Sequence, residues 1–298
     1  MKSLSKILLF FLLQFSVKGL NAQQLPLYSQ YIWNDYVINP AYTGSLDYSP
    51  IRLTYRKQWA GFNGSPELFT AGGHTRINNK ISLGGIVFKD ATGGAITQTG
   101  ALINYCYRLK LSTNSNLAFA LSGQVNQYTF DNNKVQALMP NDPALLGDVQ
   151  KSLSPDASFG MLFQRGNKTK IGVSVNQLFE SRLSNLDNTN SENTLVRHFN
   201  VNASQLIQLD SNFTLEPAIW IKKTIASPFQ ADMIGKLNYK NNFSAGINYR
   251  YNDAIVGFFS FNIKNIFIGY SYDASISAMS SYSNGSHEII LGYNFMKK

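Results

Sequence analysis

From about Ile51 onwards, apolar and polar residues alternate with period two, which confines the chain to strands that turn one face to an apolar medium and the other to a polar one. The clearest stretch places Ala101, Ile103, Tyr105, Tyr107, Leu109 and Leu111 on one side, with Asn104, Cys106, Arg108 and Lys110 on the other. The pattern recurs at Leu117, Phe119, Leu121 and Val125 against Ala118, Ala120, Ser122, Gln124 and Asn126. It returns at Phe243, Ala245, Ile247, Tyr249 and Tyr251 against Ser244, Gly246, Asn248, Arg250 and Asn252. Helical periodicity is nearly absent, so the fold class is all-β.

A soluble sandwich buries the apolar face, whereas a transmembrane barrel turns it to lipid and encloses the polar face. Two features favour the barrel. The polar faces carry Gly, Ser, Asn and Gln rather than the Lys and Glu of a solvated sheet, which suits a crowded lumen. Aromatics gather near strand ends, as in Tyr270-Ser271-Tyr272 and Gly292-Tyr293-Asn294-Phe295, where a barrel places its interfacial girdles. Only 14% of residues are charged, against about 25% in an ordinary soluble domain.

Segments of this kind number about 14, an even count as in single-chain bacterial barrels, which puts both termini on the periplasmic side. The connectors Ile77 to Lys80, Arg165 to Lys170, Asp210 to Asn212, Lys240 to Asn242 and Lys264-Asn265 are brief and rich in turn formers. Longer connectors alternate with them: Gly61 to Pro66, Asp131 to Pro155, Glu180 to Thr194 and Ser275 to Ser286. Short periplasmic turns and long outer loops are the habit of outer-membrane barrels. The tight turn Tyr251-Asn252-Asp253 is the exception. The last strand, with Ile289, Leu291, Tyr293 and Phe295, resembles the terminal signal by which such barrels are recognised for assembly, although Met296, Lys297 and Lys298 follow it.

The N-terminus supplies the expected address. Lys2 and Lys6 precede an apolar run from Ile7 to Val17, and cleavage is expected after Ala22, which makes residues 1–22 a signal peptide. Its core is too short to span a bilayer comfortably, and no second apolar run approaches the required ~20 residues. Loss of Lys2, Lys6 and Lys18 with this segment lowers the formal net charge of +9 by three. The excess suits anionic lipid headgroups or an acidic partner, but no Lys/Arg stripe with interleaved aromatics marks a nucleic-acid surface. Cys106 is the only cysteine, so no intrachain disulfide exists.

No chemistry is spelled out in the chain. It has no P-loop, dinucleotide fingerprint, HExxH, EF-hand loop or paired CxxC, so neither a catalytic residue, a metal site nor a cofactor is expected. His74, His198 and His287 lie far apart. The run Ser286-His287-Glu288 builds no relay, because adjacent residues on a strand point to opposite faces. Before the first strand stands a segment of another kind, Leu27 to Ser45, with Tyr28, Tyr31, Trp33, Tyr36 and Tyr42 and the run Asn39-Pro40-Ala41-Tyr42-Thr43-Gly44-Ser45. It lacks both periods. Two readings stand open: an arm packing its aromatics on the barrel rim, or a plug or docking strip for a periplasmic partner. The expected organisation is a signal peptide at 1–22, an N-terminal aromatic arm at 23–49 and a transmembrane barrel at 50–298.

Particular runs resemble a known family. They are Gln30-Tyr31, Asn39-Pro40-Ala41-Tyr42-Thr43-Gly44, Arg56-Lys57-Gln58-Trp59-Ala60-Gly61-Phe62, Asn79 to Gly85, Tyr105 to Leu109, Arg197-His198, Leu215-Glu216-Pro217, Tyr249-Arg250, Asp253-Ala254-Ile255, Gly269 to Asp273 and Gly285 to Glu288. In order and spacing they resemble the PorP/SprF outer-membrane proteins associated with type IX secretion and gliding in Bacteroidetes, over essentially the whole mature chain. The resemblance implies a non-enzymatic barrel that supports secretion or surface anchoring of a large adhesin-like passenger carrying a C-terminal sorting domain. It implies the lipid bilayer and periplasmic or outer-membrane secretion and gliding components as further partners. A passive porin for small solutes is the alternative, motivated by the amide-lined inner faces. Candidates for partner contact are Tyr31, Asn39, Pro40, Tyr42, Arg56, Trp59 and His287. For Arg56 and Trp59 the competing roles are inward packing and interfacial anchoring.

Overall fold

The structure is a computed structural model that describes residues 28–61, 63–135, 149–183, 194–225, 227, 229–240 and 242–296. The expected signal peptide lies outside the described residues. Three short 3₁₀ helices, Gln30–Ile32, Asp35–Val37 and Pro40–Tyr42, precede the sheet. The strands follow as β1 (Tyr48–Lys57), β2 (Glu67–Arg76), β3 (Ile81–Thr92), β4 (Ile96–Ser112), β5 (Ser115–Asp131), β6 (Val149–Arg165) and β7 (Thr169–Asn176). After them come β8 (His198–Gln205), β9 (Ile207–Gln208), β10 (Phe213–Thr224), β11 (Gln230–Tyr239), β12 (Phe243–Arg250), β13 (Ala254–Ile263), β14 (Ile266–Ser275) and β15 (Ser286–Met296).

Every neighbouring pair is antiparallel, and β1 pairs with β15 from Tyr48↔Met296 to Lys57↔His287, so the sheet closes on itself. Strands β8 and β9 form one stave, because Ala218↔Ser204 and Thr214↔Gln208 keep a single register along β10. The gap falls opposite Pro217, which has no N–H to give the ladder. The result is a closed barrel of 14 staves among the described residues.

The alternation turns out as a lipid-facing exterior. Ile51, Leu53, Phe69, Val87, Ile103, Leu121, Leu153, Ile171, Ile219, Ile247, Phe259 and Leu291 are all exposed on the outer face, Ile103 at 72%. Their sequence neighbours Arg52, Thr54, Asn104, Cys106, Ser122, Ser154, Asn202 and Asn248 are buried inside. Near the ends, Tyr270 and Tyr272 pack on His287, and Tyr293 on Phe295.

Short turns at the end bearing both Tyr48 and Met296 are closed by side chains. Asn78 Oδ1 accepts from the amides of Lys80 and Ile81, both at 2.8 Å, and Asp210 Oδ1 accepts from Asn212 and Phe213 at 2.7 and 2.9 Å. At the opposite end the sorting by length is less strict than the sequence suggested. Gly93 and Gly94, both with positive φ, turn β3 into β4, and Asn252, φ 55°, turns β12 into β13.

The connector expected from Asp131 to Pro155 is shorter than predicted, since β6 begins at Val149 and pairs with β5 as far as Asp131↔Val149. Its inward residues there are Ser152 and Ser154, and its outward ones include Lys151 and Pro155. Small polar residues inside and a charge outside hide the period-two signal that the eye looks for.

Candidate functional site: the occupied lumen

The segment without periodicity fills the barrel. Its centre is built from the run Asn39 to Gly44, where each residue has a local task. Asn39 caps the 3₁₀ helix Pro40–Tyr42, its side chain accepting from Ala41 N at 2.9 Å, and Pro40 occupies the first position, where a missing N–H costs nothing. The Thr43 hydroxyl donates to Pro40 O at 2.6 Å. Gly44 takes φ 68°, a left-handed conformation that glycine adopts without strain, and its N–H donates to His74 Nδ1 at 3.0 Å.

Non-repetitive backbone at membrane depth must find hydrogen bonds within the protein. Side chains from the wall provide them. Lys236 Nζ reaches Ile32 O at 3.1 Å, Ser174 Oγ reaches Ile38 O at 2.9 Å, and Arg76 Nη2 reaches Gly44 O at 2.8 Å. Asn39 returns the favour to the wall, giving Nδ2 to the carbonyls of Met161 and Val173 at 3.1 and 3.2 Å. That approach is possible because Gly160 and Gly172 face it, and a methyl group on either would collide with the Asn39 amide.

Tyr31, Trp33 and Tyr42 of the arm are anchored at both their rings and their polar tips, as buried Tyr and Trp require, whereas Tyr36 is held by its ring. Tyr31 packs on Trp220 with ring centroids 4.4 Å apart, donates to Asp232 Oδ2 at 2.6 Å and accepts from Asn248 at 2.8 Å. Trp33 lies edge-on to Phe258 and Phe267 and donates to Ser244 Oγ at 3.1 Å. Tyr36 packs on His74, and the Tyr42 hydroxyl accepts from Asn202 while Lys170 lies over its ring at 5.5 Å.

A buried charge cluster holds the other end of the arm. Arg56 pairs with Asp273 at 2.8 Å and Glu288 at 3.1 Å, and Arg250 pairs with Asp273 at 3.0 Å and Asp232 at 3.3 Å. In its middle sits Ser29, fully buried. Its hydroxyl donates to Asp273 at 3.0 Å and accepts from Arg56 Nη1 and Arg250 Nη2, both at 3.1 Å. Its amide donates to Glu288 Oε2 at 2.8 Å. One donor and two acceptor bonds use the whole capacity of a serine hydroxyl.

The arm divides the lumen. Toward the end far from the termini lies a cavity of about 550 Å³ lined by Trp59, Gln124, Trp220 and Tyr251, with Tyr36 and Pro40 of the arm beneath. Toward the termini lies one of about 220 Å³ lined by Trp33, Asp35, Arg52, Lys170 and Glu216.

Of the residues singled out in the sequence, Tyr31, Asn39, Pro40 and Tyr42 are buried in the plug and Arg56 in the cluster that grips it. Trp59 stands apart in the connector after β1, half-buried, with φ 51° and its amide donating to Ser286 Oγ at 3.0 Å. His287 points outward and shares a 2.7 Å hydrogen bond with Tyr270 Oη. Sequence reasoning missed Ser29, Arg250, Asp232, Asp273 and Glu288 as one unit, and Gly160 and Gly172 as a notch. Glu288 lies opposite Arg56 in the closing pair, so only the register could have announced that contact. Among the described residues no group of three His, Cys, Asp or Glu could hold a metal ion.

A closed, lipid-faced, antiparallel barrel with a self-filled lumen defines an outer-membrane β-barrel, and solved structures agree on the fold. The toluene transporter TbuX of Ralstonia pickettii superposes with a TM-score of 0.53 at 10% identity, covering 89% of this chain and 93% of its own. A Pseudomonas aeruginosa FadL homologue gives 0.51 at 10% identity over 92% and 95%. The CymD monoaromatic hydrocarbon channel gives 0.50 at 11% identity over 94% and 96%. At such identities they speak for the architecture alone. No curated protein sequence matches the chain. The chain belongs to the family of type IX secretion system membrane proteins PorP/SprF, whose profile matches residues 20–293.

Proposed function

We propose that this protein is a non-enzymatic anchor of the type IX secretion and gliding apparatus, supporting secretion or surface retention of a large adhesin-like passenger with a C-terminal sorting domain. The observation that carries the reading is the arm, whose aromatics and backbone are bonded to the wall on all sides of the lumen. A barrel plugged by its own chain suits holding better than conducting. Tyr31, Asn39, Pro40, Tyr42 and Arg56 then position the plug. Trp59 at the far rim and His287 in the outer aromatic belt are left to meet a passenger or a membrane partner. The signal peptide ends after Ala22, and the turns at the terminal end face periplasmic components of the machine.

The test is to tag the protein in its native host, purify it in mild detergent and identify what co-purifies by mass spectrometry, with a deletion strain scored for surface adhesins. Co-purification of a large adhesin whose display fails in the deletion supports anchoring. An unchanged surface proteome, together with steady ion conductance of the purified barrel in planar bilayers, would replace it with the porin reading.

A further inference from the structure

The cavity at the far end has a composition that the plug does not explain. Three aromatic residues line its mouth: Trp59, half-buried, and Phe229 and Tyr251, both exposed. Trp59 is held there at φ 51°, an uncommon conformation for a bulky residue, by the bond to Ser286 Oγ and by bridges from Ala60 N to Gly285 O at 2.7 Å and from Asn284 N to Ala60 O at 2.6 Å. Below the rim the wall carries the amides of Gln124, Gln230, Asn126 and Asn176. The Oδ1 atoms of Asn126 and Asn176 are buried with no partner in the protein, and Asn126 is only 1% exposed.

Of the charged groups of the cavity, Lys223 and Asp253 have hydrogen-bond or ion-pair partners and Lys222 has only a ring beneath it. Lys222 Nζ lies over the Trp220 ring at 4.8 Å, Lys223 Nζ donates to Ser227 O at 2.7 Å, and Asp253 pairs with Arg250 at 3.3 Å. The groups left to a ligand are the amides, the aromatic faces and the Lys222 ammonium, which can donate to a sugar hydroxyl, above an apolar floor that includes Ile86 and Leu102.

From these observations we infer that the far cavity is a binding site for a neutral oligosaccharide. Each sugar hydroxyl is both donor and acceptor, and a side-chain amide offers one of each in a plane. The C–H face of a pyranose ring stacks on the electron-rich face of an aromatic ring, the office of Trp59 and Tyr251 at the rim. The volume of about 550 Å³ falls in the range of small-ligand pockets and holds roughly two to three such rings. The site goes beyond the passenger reading and does not depend on it.

The test is isothermal titration calorimetry on the full chain in detergent, with maltotriose, cellotriose, chitotriose and, as an acidic comparison, trigalacturonate. At least one neutral trisaccharide is expected to bind with Kd below about 1 mM. Trp59→Ala and Gln124→Ala should each weaken it about tenfold or more, and Trp59→Phe should retain most of the affinity. Heat-modifiable gel migration verifies that each variant is folded, and Gln230→Ala replaces either variant that is not. Binding of trigalacturonate alone, absence of binding by all three neutral sugars, or affinity untouched by both alanine variants would overturn the assignment. None of these outcomes bears on adhesin display.

Discussion

Replacing Arg56 by methionine keeps the unbranched stem and removes the charge that joins Asp273, Glu288 and Ser29. Removing one partner of a buried ion pair costs about 3–5 kcal/mol, because the other is left uncompensated. The lower end applies here, since Arg250 still lies 3.0 Å from Asp273 and the Ser29 amide still donates to Glu288. The strands are held by continuous ladders and the arm by individual side-chain bonds, so the loss falls on the arm, the unit of lower local stability. A natural reporter lies beneath it. Cys106, the only cysteine, is fully buried with its thiol 3.7 Å from Ala41 O. When opening is fast, its reaction with a small hydrophilic thiol reagent tracks the population with the arm undocked. A cost of about 3 kcal/mol corresponds to labelling faster by on the order of a hundredfold. Heat-modifiable migration should persist, as the barrel remains closed. Labelling within about threefold of the parent would refute the reasoning, because a cost below ~1 kcal/mol is too small for a buried ion-pair partner.

Gly160→Ala places a methyl group against Asn39 Oδ1 and within 3.1 Å of Ala41 N, so an overpacking cost of about 1–3 kcal/mol should speed Cys106 labelling by about fivefold to a hundredfold. Ile103→Arg puts a charge on the lipid face near the middle of β4 and should destabilise the barrel in vesicles by about 2–4 kcal/mol, read by urea titration. Lys57→Ala breaks a 2.9 Å pair with Glu67 whose side chains are both about 40% exposed, and should change that midpoint by no more than about 1 kcal/mol. A larger effect there would mean that exposed pairs on this face count for more than solvent screening allows.

How much of this was readable beforehand follows from the range of each interaction. The exterior was legible because lipid contact is a property of one residue at a time, and Ala101 to Leu111 display it without interruption. The strand count followed from the same signal. The N-terminal arm was visible as a break in period and as aromatic-rich, yet its two possible homes could not be separated. That choice depends on wall residues more than a hundred positions away, such as Met161 and Val173 for Asn39, or Asp232 and Asn248 for Tyr31. The charge cluster was hidden for a stronger reason. Arg56, Arg250, Asp273 and Glu288 come from four strands, and β1 meets β15 only when the barrel closes. Residues 149–155 failed locally, because Ser and Pro were read as loop formers where they are wall positions.

The same geometry constrains how the plug comes to be there. Its 3₁₀ helices are three residues long, too short to persist alone, so the arm orders only against a wall. The wall it needs is drawn from strands far along the chain: β6 and β7 for Asn39, and β11, β12, β14 and β15 for Ser29 and Tyr31. Pairing of β1 with β15 brings Arg56 opposite Glu288, and the arm, which leads directly into β1, supplies the hydroxyl that both arginines then share. Ser29 in the charge cluster and Asn39 in the glycine notch fix the arm at two points ten positions apart. A slip by one residue in either direction would empty both at once, leaving donors and carboxylates unpaired, which is costly in a dry interior. The inward charges therefore set the register of the plug, and arm and wall depend on each other for their buried partners.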